Sequence, residues 1–284
     1  MLNLSIRCLL PALFAVGALA QNARSWSEPF PPHRIAGNLY YVGTRGLASY
    51  LITTPEGHIL INSGLESSVP LIEAGITQLG FRFTDVRILL ISHAHWDHNA
   101  GSALVKQRTG AKYAVMEPDV AVTEDGGKSD FFYHSSPLSF YPPAKVDRVL
   151  QDGDQVKLGG TVLTAHLTGG HTKGCTTWTM QVTEDSRTYD VVIVGSVNVN
   201  AGFQLVKNPR YPGIAQDFVR TFATLKALHC DIFLGAHGDY YGLEGKFAHL
   251  PAQGTKVFID PAGYTAYVAE REKAFLQELK RQQR

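Results

Sequence analysis

Four side chains that can ligate a metal fall within six residues in His93-Ala94-His95-Trp96-Asp97-His98. Imidazole nitrogens and carboxylate oxygens are ligand atoms that zinc takes at about 2.0–2.2 Å. A lone histidine on an apolar face is more often packed than ligated. Several crowded together and buried need either partners or a shared ion. Two further histidines stand beside glycines at the ends of other predicted strands: His171 in Thr168-Gly169-Gly170-His171-Thr172, and His237 in Gly235-Ala236-His237-Gly238. Five histidines and one aspartate suffice for two metal ions with three protein ligands each, which leaves positions open for water and substrate, as catalytic zinc requires. The remaining histidines (His33, His58, His134, His166, His229 and His249) are scattered, and surface or packed roles are expected for them.

The elements that must position these ligands are legible as apolar patterns. Residues 86–92 form a near-continuous apolar run, the mark of a strand buried on both faces, and the histidine run follows directly, so a loop leaving a strand end is expected to turn the ligands toward one point. Upstream, short β-type runs at 39–42, 50–53 and 58–61 include a hairpin about Thr54-Pro55-Glu56-Gly57, and 69–79 has helical spacing before Gly80. A helix at 102–109 and a strand at 113–116 follow. Residues 124–145 show little periodicity but carry Phe131, Phe132, Tyr133, Phe140 and Tyr141, which suggests an ordered functional loop that either packs or walls a substrate site. The second half repeats the grammar with strands near 162–168, 176–182, 191–195 and 232–235, and helices at 214–228 and 264–284. Two sheets packed face to face with helices outside are expected.

A chain of 284 residues can bury a substantial core, and 44% hydrophobic against 18% charged residues describe an ordinary globular protein. Net charge is only +1 with no dense basic block, which argues against nucleic acid as a partner. Residues 1–20 combine Arg7, an apolar stretch from Cys8 to Leu19, and Ala18 and Ala20 before a cut, so a cleaved export signal is expected, leaving 21–284 as one domain in the periplasm or outside the cell. That stretch is interrupted by Pro11 and is shorter than the roughly 20 apolar residues a membrane span needs, so no membrane association is expected after cleavage. The cut leaves Cys175 and Cys230, too few for a disulfide framework.

The run HAHWDH, with TGGHTKGCTTW around His171, GSVNVNAGFQLVKNPRYPGI from Gly195 and GAHGDYY around His237, resembles the metallo-β-lactamases of subclass B3, from about Trp26 to the C-terminal helix. The resemblance implies an α/β fold, a four-layer αββα sandwich of two similar halves at about 33–155 and 156–284. It implies two zinc ions, one on His93, His95 and His171 and one on Asp97, His98 and His237. The implied activity is hydrolysis of the β-lactam amide by a metal-bound hydroxide that Asp97 also orients, giving antibiotic resistance, with β-lactams as small-molecule substrates of a monomer. Ser196 and Asn200 fall where the subclass offers hydrogen bonds to water and to the substrate carboxylate; loop packing is their other reading. Ser196 also stands where many hydrolases of this fold carry a metal-bridging aspartate and other lactamase subclasses a cysteine ligand. That substitution favours β-lactams over the thioesters and nucleic acids of those relatives. Lactone or thioester hydrolysis, and non-catalytic zinc binding in the periplasm, are the alternatives. Two departures stand out. Gly169 and Lys173 replace prolines usual in the family, which puts the stiffness of the His171 loop in question, and Cys230 lacks its customary disulfide partner near Tyr264.

Overall fold

The computed structural model describes residues 25–284, so the expected export signal at 1–20 lies outside the described residues. His33–Ala36 (β1), Leu39–Tyr41 (β2), Tyr50–Thr54 (β3) and Gly57–Ile61 (β4) form an antiparallel meander. Its last hairpin closes at Pro55 and Glu56, with Gly57 at φ 122° paired to Thr54. Val69–Gln78 (α1) then crosses over, so that Val86–Leu90 (β5) lies parallel to β4. Trp96–Asn99 (α2) and Ser102–Thr109 (α3) lead in the same way to Lys112–Met116 (β6), and Val120–Glu124 (α4) precedes Arg148–Leu150 (β7), both strands parallel to their neighbours. The result is a seven-stranded sheet in sequential order.

The second sheet starts with Gln155–Leu158 (β8), Thr161–Leu167 (β9), Thr176–Glu184 (β10) and Arg187–Val194 (β11), each antiparallel to the next. Ile214–Ala227 (α5) carries the chain back so that Ile232–Gly235 (β12) pairs parallel to β11 at the edge. Leu243–Gln253 (α6) and Pro261–Gln282 (α7) complete the chain.

Strand alternation decides which face each residue serves. Tyr50, Ile52, Ile59 and Ile61 enter one buried cluster with Leu163, Ala165, Trp178 and Met180 of the other sheet, while Leu51, Leu60 and Leu89 turn to a second cluster covered by Ile72 and Ile76 of α1 and Val105 of α3. On the far side, Phe218 of α5 and Phe275 of α7 stack with ring centroids 5.1 Å apart. The layers are therefore helix, sheet, sheet, helix. Among the described residues no helix is long and apolar enough to cross a membrane.

Several elements differ from the sequence reading. The strand expected to reach residue 92 stops at Leu90; β7 and β8, of three and four residues, are too short to show a period. The helix α6 holds Pro251 and Gly245, both of which argue against a helix in sequence. Cys175 and Cys230 are free and buried. Tyr264 ties α7 to the end of α5 by donating its hydroxyl to the Leu225 carbonyl at 2.7 Å.

Candidate metal centre

The site lies where strand ends of both sheets meet. After β4, Asn62 takes a left-handed conformation at φ 65°, which asparagine tolerates better than most residues with a Cβ, and clasps the end of β5. Its side chain accepts the Ser92 backbone N–H at 2.7 Å and donates to the Ser92 hydroxyl at 3.0 Å. His93 follows. The run does not stay a loop as expected: Trp96–Asn99 is a helical turn that starts after His95, whose carbonyl accepts the His98 and Asn99 N–H groups. That turn is braced from below by Ser63, whose backbone N–H and hydroxyl both donate to the His98 carbonyl.

Asp119, ending the 3-10 turn after β6, is buried and joins the two histidine loops. Its carboxylate accepts the Ala94 N–H at 2.9 Å, the Thr172 hydroxyl at 2.7 Å and the Gly174 N–H at 2.7 Å. Gly174 has no room for a side chain, since a Cβ there would lie 2.6 Å from the Asp119 nitrogen. Thr221 adds a bond to the Gly169 carbonyl at 2.7 Å, so hydrogen bonds hold the loop that lacks the two prolines. His171 turns its Nδ1 to the Asn198 carbonyl at 2.8 Å, which leaves Nε2 for the site. His237, beyond β12, is held by the Leu47 bridge and by the Ala48 N–H donating to the Ala236 carbonyl.

The six ligand candidates converge. The rings of His93, His95 and His171 form a triangle with centroids 4.9, 4.7 and 4.8 Å apart. Asp97 Oδ2, His98 Nε2 and His237 Nε2 are 3.1, 3.2 and 3.4 Å from one another. A tetrahedral ion with bonds of about 2.0–2.1 Å has ligand atoms about 3.3–3.4 Å apart, so these three atoms fit one face of its coordination sphere. His93 also lies near Asp97 and His98. Contacts of 3.1 Å to His98 and 3.4 Å to Asp97 place His237 with these two as a third member.

Both nitrogens of His93 are buried without a hydrogen-bond partner. Burial and neighbouring imidazoles push His93 well below the usual histidine range, and His171 down to about 3. Burial lowers His98 as well. Burial alone would raise Asp97, but His98 and His237 hold its carboxyl well below the carboxylate range. Burial would lower His95 too, but the Asp130 carboxylate raises it. The lone pairs of His93, His98 and His171, whose proton affinity is depressed, beside an ionised carboxylate are a donor set that suits a divalent cation, so the residues fit a metal.

Above them opens a cleft of about 1310 Å³, lined by Trp26, Trp96, Tyr133, Asn198, Asn200 and Tyr240 together with His95, Asp97, His171 and His237. Asn200 reaches it and donates to the Tyr133 hydroxyl at 3.0 Å. Ser196 is buried outside that lining, sharing a 3.2 Å hydrogen bond with the Tyr240 hydroxyl, which also accepts from Asn198. The aromatic loop divides its work: Phe131 packs on Phe203 and Tyr211, and Tyr141 is buried with its hydroxyl on the Ala94 carbonyl, while Tyr133 forms cleft wall. Trp26, Asn198 and Tyr240 were not singled out in the sequence, although Asn198 and Tyr240 stand in the quoted motifs.

A family model described as the metallo-beta-lactamase superfamily matches residues 42–237, an interval that begins before the first ligand and ends on His237. The chain belongs to that superfamily. Among solved metallo-beta-lactamases, native FEZ-1 from Legionella gormanii is 54% identical with a TM-score of 0.89, covering 90% of this chain and 98% of that one. BJP-1 of Bradyrhizobium japonicum, a subclass B3 metallo-beta-lactamase, is 37% identical with a TM-score of 0.85 and covers 92% and 98%. LRA-12 from an Alaskan soil metagenome, a class B3 di-zinc metallo-beta-lactamase, is 38% identical with a TM-score of 0.83 and covers 89% and 96%. A probable metallo-hydrolase of Burkholderia pseudomallei is 33% identical over 117 residues, which span 41% of this chain and 37% of that relative's length. The metallo-beta-lactamase fold and the converging histidines together establish the chain as a metal-dependent hydrolase of this superfamily.

The Asp119 clamp can be tested on the metal-free protein. Asp119→Ala strands three buried donors, each worth about 1–3 kcal/mol when unsatisfied, so urea unfolding should show a loss of about 3 kcal/mol or more. Asp119→Asn, which keeps one acceptor oxygen, should lose less. A loss below about 1 kcal/mol in the alanine variant would contradict the clamp.

Proposed function

We propose that the protein is a zinc β-lactamase that opens the amide of β-lactam rings and so gives resistance to these antibiotics. The observation that carries this reading is the pair of ligand trios at the foot of the cleft, His93, His95 and His171 beside Asp97, His98 and His237, with three protein ligands apiece. Zinc bound there supplies an activated water nucleophile at neutral pH and Lewis-acid polarisation of the lactam carbonyl. The chain's own residues do the rest. Asp97, kept ionised, is a ligand and an acceptor that orients the attacking water. Asn198 and Asn200 offer amide groups to the substrate's carboxylate and carbonyls, while Trp26, Trp96 and Tyr133 wall the cleft against its apolar parts. Ser196 acts from beneath through Tyr240 and Asn198. A protein that only stored zinc would gain nothing from a cleft this large over ligand sets that leave coordination positions open.

Export remains part of the proposal, resting on the pattern of residues 1–20. Protein recovered from the periplasm or medium should begin near Gln21 by mass spectrometry; an intact N-terminus in the cytoplasm would contradict export.

Turnover of a chromogenic cephalosporin should vanish with chelator and return with added zinc, and a lactone and a thioester should be poor substrates in parallel assays. Hydrolysis of either alternative without cephalosporin turnover would overturn the substrate assignment. Asp97→Asn should lower kcat/KM for a penicillin and a carbapenem by more than about 100-fold and reduce zinc content, because a neutral amide is a poorer zinc ligand. Ser196→Ala should cost only about 1–2 kcal/mol, roughly five- to thirty-fold. Normal turnover and zinc content in Asp97→Asn would refute the second trio, and equal losses in both variants would give Ser196 a direct role.

A further inference from the structure

Asp130, at the start of the aromatic loop, is 3% exposed and engaged on both sides. Its Oδ1 accepts the backbone N–H of Phe132 at 2.8 Å and of Tyr133 at 2.6 Å, forming the turn that sets Tyr133 on the cleft wall. Its Oδ2 faces His95 Nε2 at 3.6 Å, and that nitrogen is buried with no hydrogen-bond partner. With Nε2 turned to Asp130, Nδ1 is the His95 atom left for a metal. The Tyr133 ring in turn lies 5.0 Å from the His95 ring and 5.0 Å from that of Trp96. A neutral asparagine or serine could cap such a turn, so the capping alone does not explain a buried charge here.

We propose that Asp130 is a positioning residue that couples occupancy of the His93, His95 and His171 trio to the conformation of the Tyr133 segment, and so lets metal loading shape the substrate wall. The inference rests on the metal reading above. A cation on an imidazole makes the opposite N–H a stronger donor, and the bond to a carboxylate is then charge-assisted. Drawing Oδ2 toward His95 fixes the carboxylate that holds the Phe132 and Tyr133 amides. Binding linkage is reciprocal, so whatever metal does to the loop the loop does to metal affinity.

The test compares wild type with Asp130→Asn, which keeps an oxygen for the two amides but can place an NH2 donor against His95 Nε2–H. Stepwise zinc affinities come from competition with a chromophoric chelator, and loop order from hydrogen exchange of residues 131–135 with and without zinc. Wild type should bind two zinc ions and slow exchange in this segment on loading. The variant should lose about 10- to 100-fold in affinity at one zinc step only, and its loop should stop responding to zinc. Should Asp130→Asn fail to fold by circular dichroism, Asp130→Ser, which retains a short acceptor without the charge, is expected to show the same selective loss. Wild-type affinities with an unchanged loop response in a folded variant would overturn the coupling and leave the metal reading standing. A wild type that binds no zinc would overturn both.

Discussion

A cluster of imidazoles buried beside a carboxylate is stable only if something pairs with its lone pairs, and the architecture around this site is arranged on that condition. His93, His95, His98, His171 and Asp97 are all buried, and both nitrogens of His93 go unpaired in the protein itself. A cation meets that need directly, and the spacing of Asp97, His98 and His237 fits one. The depressed proton affinity of most of these histidines follows from the same crowding, and it keeps the lone pairs available.

That need is met only if the two sheets keep a fixed relation, and the bonds that secure it gather at the site. Trp178 of the second sheet donates its indole N–H to the Ile91 carbonyl at 3.1 Å, and the Thr176 N–H donates to the Ser92 carbonyl at 2.7 Å, both just before His93. Asp119 reaches from the first sheet to the loop of His171. A shift between the sheets would therefore pull His171 away from His93 and His95. The substrate wall depends on the same frame, since Tyr133 is fixed by Asp130 and Asn200 by its bond to Tyr133.

The ligands were legible in the sequence because their types are rare and their spacing dense; His171 and His237 showed themselves by glycines at strand ends. The fold was legible where apolar periods ran long enough, as in α1 and α5. The supports were not. Asp119 and Asp130 look like ordinary surface acids, and what buries them comes from far along the chain, Asp119 bonding Gly174 across 55 positions. Asn62 gave no signal either, since its left-handed backbone is a property of the meeting between β4 and β5. Ser196 and Asn200 were chosen from one motif, but the turn that carries them sends Asn198 into the cleft and Ser196 beneath it. Trp26 lies in a polar, proline-rich segment without periodicity, and only the fold brings its ring within 5.9 Å of His237.

The most direct test of the central claim is anomalous diffraction at the zinc edge from crystals of the zinc-loaded protein. The account predicts two peaks per chain, one bounded by His93, His95 and His171 and the other by Asp97, His98 and His237. A single peak, or zinc held by a different set of side chains, would contradict it.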